Sequence, residues 1–152
     1  MDTASWTLSA PTVRIDLTKF KIDTANPETH KQFYLQLIEE YPLSEFVFTD
    51  GSKTEEGVTA AAVSTKQIHK PFTCRLPDDS SIFAADMRAI LLALKHVYCS
   101  KGKSYLILSD SLLSLQLLFK LKYDHPALAQ ILELCTEFTR DGSKDYKCIY
   151  NL

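Results

Sequence analysis

The stretch FVFTDGSKTEEG, residues 46–57, decides how the chain folds. Phe46-Val47-Phe48 is a strand-like apolar run, and it meets Asp50-Gly51 only one residue later. An Asp-Gly pair is a common hairpin turn, which is one reading of this site. The other carries the strand through to Lys53 and places the turn at Glu55-Glu56-Gly57. That reading leaves two longer, better-matched strands, Glu45–Lys53 and Val58–Thr65. It also leaves Asp50 at a strand end, where a carboxylate can serve as a metal ligand.

Working outward, residues 70–76 (KPFTCRL) give a third strand, bounded by Pro77-Asp78-Asp79, and the short spacing predicts an antiparallel meander. Upstream, residues 1–25 read as an irregular arm with a short apolar set at Val13, Ile15 and Leu17. Asn26-Pro27-Glu28 starts a helix, with proline at its first position, and Pro42 ends it. Phe33, Tyr34, Leu37, Ile38 and Tyr41 form its apolar stripe. Downstream, a long helix spans roughly 80–99, with Phe83, Met87, Ile90, Leu91, Leu94, Val97 and Tyr98 on one face. Tyr105–Leu108 is a continuous apolar run of the kind found in buried strands. A short helix at Leu112–Phe119, a helix restarting at Asp124-His125-Pro126 and a last strand at Tyr146–Tyr150 follow. This order predicts an α/β domain in which helices cover a mixed sheet and supply the crossovers between parallel strands.

The 152 residues suffice for one domain with its own core. The 17 basic and 19 acidic side chains are interspersed without a basic block, so strong nonspecific attachment to phosphate backbones is not expected. No apolar run approaches the length of a membrane span, and the start has no secretory pattern. The expectation is an intracellular protein, in cytoplasm or nucleus, without a membrane partner. Cys74, Cys99, Cys135 and Cys148 show no metal-knuckle spacing and are expected as reduced thiols without a disulfide partner. His30, His69, His96 and His125 are expected at surface or capping positions.

Three acids stand at unusual places. Asp50 stands at the end of the first strand of the meander, Asp110 at the end of the run YLILS, and Asp86 at the edge of the long helix's apolar stripe. Each has an ordinary reading: a hairpin turn for Asp50, an N-cap for Asp110 within Ser109-Asp110-Ser111, a half-exposed helix acid for Asp86. If the helix crosses the sheet, all three converge on one rim. Carboxylates held together repel, and a divalent cation relieves the conflict. Hard oxygen donors suit Mg²⁺, which keeps waters and accepts substrate phosphate oxygens. Shared carboxylates that hold two such ions support phosphodiester cleavage.

The segments FVFTDGSK, LPDDSSIFAADMRAILLALKHV and YLILSDSLLSLQLL together resemble the type 1 ribonuclease H domain. The version they look like is found near the end of arthropod non-LTR retrotransposon polyproteins, and the likeness runs over almost the whole chain. It implies a five-stranded mixed sheet, an antiparallel three-strand meander plus parallel strands, flanked by helices. It implies a domain over 43–152 preceded by an arm and helix over 1–42. It implies Mg²⁺-dependent hydrolysis of the RNA strand in RNA–DNA hybrids with two ions, Mn²⁺ being a substitute. By position, Asp50 corresponds to the ligand shared by both ions, Asp110 to a ligand of one, and Asp86 stands where the family has a glutamate. Gly51, Ser52 and Ser111 correspond to substrate-contacting positions, with RNA told from DNA through 2′-hydroxyl contacts.

Two departures from the family qualify the expectation. Asp86 is one methylene shorter than a glutamate, which sets its carboxylate about 1.5 Å back unless the helix shifts. The sequence stops at Asn151-Leu152, where the family continues into a loop and a final helix bearing a fourth carboxylate. A truncated copy without that last helix is therefore expected, binding one Mg²⁺ weakly and cleaving hybrids poorly. The alternatives are a noncatalytic nucleic-acid-binding remnant and a protein-interaction domain.

Overall fold

A computed structural model describes residues 12–14, 27–66, 69–100, 104–111, 126–141 and 145–150. In chain order the elements are β1 (Thr12–Arg14), α1 (Pro27–Glu40), β2 (Glu45–Thr54), β3 (Gly57–Ser64), β4 (Phe72–Leu76), α2 (Ile82–Cys99), β5 (Ser104–Ser109), α3 (Pro126–Asp141) and β6 (Asp145–Tyr150). The expected short helix at 112–119 lies outside the described residues, as do Asn26, His125, Gly142 and most of the N-terminal arm.

The strands form one mixed sheet in the order β1-β6-β5-β2-β3-β4. β2, β3 and β4 are the antiparallel meander, with Thr54 paired to Gly57 across the two-residue turn Glu55-Glu56. The turn therefore sits beyond Asp50-Gly51, and Asp50 pairs with Ala61 inside the ladder. Gly57 adopts φ +139°, and a Cβ there would lie 2.9 Å from Arg75 Nη2, so the residue closing this turn needs to be glycine. β5 returns parallel to β2 and β6 parallel to β5. Such returns need crossovers, which α2 provides between the meander and β5 and α3 provides before β6. The sheet has six strands rather than the expected five. The addition is β1, whose three residues pair in parallel with Lys147–Ile149 of β6.

The period-two burial of β3 shows how the sheet is sided. Val58, Ala60, Ala62 and Ser64 are buried, while their neighbours are half-exposed. On that face the core gathers Val47, Ala62, Tyr105 and Ile107 of the sheet, Met87 to Val97 of α2, and Ile131 and Cys135 of α3. The opposite face of β2 and β5 presents Phe46, Leu106 and Leu108, covered by Leu37, Tyr34 and Tyr41 of α1 and its end. Tyr34 meets Phe46 edge-on at 5.7 Å. Ser81 caps α2, its Oγ accepting from the Ala84 N–H at 3.0 Å.

Two expectations about α2 change. Its buried arc includes Ala85, Ala89 and Ala93 besides the larger residues, while Tyr98, in the last turn, is 56% exposed. At 100° per residue these alanines widen the arc until Asp86 falls within it rather than at its edge. His96, expected at a surface or capping site, is instead largely buried. Its Nε2 lies 3.3 Å from Glu45 Oε2, and its ring lies 4.9 Å from that of Phe72. Glu45 opens β2 on the α2 side, and its other oxygen accepts from the Ser64 hydroxyl at 2.9 Å. A buried carboxylate needs such partners, and strand alternation rather than composition put it there. Among the described cysteines, Cys74, Cys99 and Cys135 are not joined in disulfides. Among the described residues no helix is long and apolar enough to cross a membrane.

Core position, not helix-wheel position alone, should set mutational cost along α2. Leu94→Ala is expected to lose about 2–5 kcal/mol of unfolding free energy. Tyr98→Ala should lose less than about 1 kcal/mol. Urea denaturation of the two variants measures the difference.

Candidate metal centre

The parallel pairing of β2 with β5 ends at the Thr49–Ser109 register pair. Asp50, inside β2, and Asp110, the first residue after β5, come next, so two carboxylates stand side by side where that parallel pairing stops. That is where α/β sheets place ligands. Just behind them the buried Thr49 hydroxyl donates to the Leu108 carbonyl at 2.8 Å and ties the two strand ends together.

The third carboxylate comes from above. α2 passes over β2 at Gly51, and a Cβ on Gly51 would meet Asp86 Oδ1 at 2.5 Å, Asp86 N at 2.6 Å and the Ala85 carbonyl carbon at 2.7 Å. Two of these are backbone atoms, so no rotamer change makes room. Glycine alone permits this approach. The Gly51 N–H then donates to Asp86 Oδ1 at 3.1 Å. The Ser111 side chain also favours the ionised form of this carboxylate. The Ser111 N–H is itself held by Ser109 Oγ at 3.1 Å, which fixes the turn leaving β5.

One ligand atom from each of Asp50, Asp86 and Asp110 lies within 4.8 Å of the others. Asp86 reaches the group despite its shorter side chain, because the missing Cβ at Gly51 lets the helix come down onto the strand. Gly51, one of the positions that the resemblance gives to substrate contact, turns its N–H toward Asp86 here. Ser52 is exposed on β2 two residues beyond Asp50. Neither the Gly51 nor the Ser111 hydrogen bond had a signal of its own in the sequence, although the small residues at both positions are what a close helix approach requires.

The electrostatics follow from this crowding. Burial, then the Asp110 charge, and more weakly Asp50, push the Asp86 carboxyl up to about 6 against the lowering effect of Ser111 and Gly51. Burial and then the Asp50 charge raise Asp110. Three acidic groups under mutual repulsion, without a basic partner in the group, form an all-oxygen donor set that a hard divalent cation fits.

No family model matches the chain, and no curated protein matches it significantly.

Two outcomes are expected. Asp86 and Asp110 bind protons more tightly in the folded protein than in the unfolded chain. The stability they contribute is full below about pH 4 and is lost as pH rises through the folded values, about 6 for Asp86. A divalent cation reverses that loss, so Mg²⁺ should raise the melting temperature more near pH 7.5 than near pH 5. Asp86→Asn should stabilise the cation-free protein near pH 7.5 and shrink the Mg²⁺ effect; thermal melts at both pH values measure this. Separately, Gly51→Ala should cost about 1–3 kcal/mol in denaturant titrations, because the new methyl overlaps the α2 backbone.

Proposed function

We propose that this chain is a metal-dependent nuclease of the type 1 ribonuclease H kind, acting on the RNA strand of RNA–DNA hybrids. The observation that carries the reading is the convergence of Asp50, Asp86 and Asp110, one atom of each within 4.8 Å, where the parallel pairing of β2 with β5 ends. The mixed sheet, with its antiparallel meander leading into parallel strands, is compatible with that fold.

In this reading the three aspartates hold Mg²⁺, or Mn²⁺ in its place. When bound, the cation supplies an activated water and stabilises negative charge at the phosphate. Asp50 is central, its charge acting on both other carboxyls. Asp110 holds the side of the site formed by β5, and Asp86 closes it from the helix. Ser52, exposed beside the group, is placed to donate to a backbone phosphate of the substrate. A second cation sits about 3.5–4 Å from the first in two-ion sites and needs further ligands. Among the described residues the group offers three carboxylates, which suits one ion better than two. Slow cleavage, rather than the full rate of a two-ion enzyme, is the expected behaviour.

A labelled RNA–DNA duplex incubated with purified protein tests this. Cation-dependent cleavage of the RNA strand is expected, falling roughly 10²–10³-fold in Asp50→Asn, the usual cost of losing one charge-stabilising group. Cleavage that survives Asp50→Asn would point to a contaminant. Binding of the hybrid without cleavage would move the protein to a noncatalytic nucleic-acid binder. Neither binding nor cleavage would leave a protein-interaction domain.

A further inference from the structure

We draw no further inference here: the strongest candidate, the apolar groove between α1 and β2 lined by Tyr34, Ile38 and Phe46 beside the exposed Leu43, is an unpartnered face, and nothing in the structure shows what covers it.

Discussion

The structure depends on the contact between α2 and β2 at Gly51. A helix packed on a sheet ordinarily stands off by the length of the side chains between them. At Gly51 there is none, and the backbone of Ala85 and Asp86 comes within a distance that a single Cβ would violate. The strand's N–H meets the helix's carboxylate there. The layer beneath the rest of α2 is built to permit this tilt. Ala85, Ala89 and Ala93 on the helix and Ala60 and Ala62 on β3 are all fully buried and small. Larger residues, Met87, Ile90, Leu91 and Leu94, take the remaining contacts and fix the helix's rotation.

From that contact the site follows. The end of the β2–β5 pairing brings Asp50 and Asp110 together, Thr49 ties the two strands there, and the low helix adds Asp86. The resulting group works against folding at neutral pH, since Asp86 and Asp110 are held near other carboxyls and partly out of water. Chains seldom keep such a cluster unless something else gains from it, and sites that carry function are where strained electrostatics concentrate. At the opposite end of the same two elements, Glu45 of β2 and His96 of α2 are partners at 3.3 Å. One end of the helix–strand pair is thus satisfied within the protein, and the other presents unmet negative charge.

Much of this was legible in the sequence because strands and helices carry strong periods. The small apolar run of β3, the aromatic and β-branched run of β2 and the apolar run of β5 each marked a strand to within a residue or two. The turn at Glu55-Glu56 could be told from the Asp-Gly alternative because it lengthens both arms of the hairpin. The three acids were legible in the sequence, although β2 runs on to Thr54 and so places Asp50 within the strand rather than at its end. Other features left weaker traces. β1 has only three residues, too few for its alternation to stand out. Glu45 looked like a strand boundary, and its burial depends on which face its neighbours take. Asp86 looked marginal because alanines weigh little in a hydrophobic pattern yet pack as core when a helix lies close. The Ser111–Asp86 link joins residues from different elements, and such pairs carry no local spacing.

The central claim is that Asp50, Asp86 and Asp110 grip one divalent cation. Crystals grown with Mn²⁺ and measured at its absorption edge test it most directly, because the anomalous signal locates the ion independently of the surrounding density. The account predicts a peak within direct coordination distance of an oxygen from each of the three aspartates. An empty site with the three side chains turned apart, or Mn²⁺ bound only elsewhere on the surface, would contradict it.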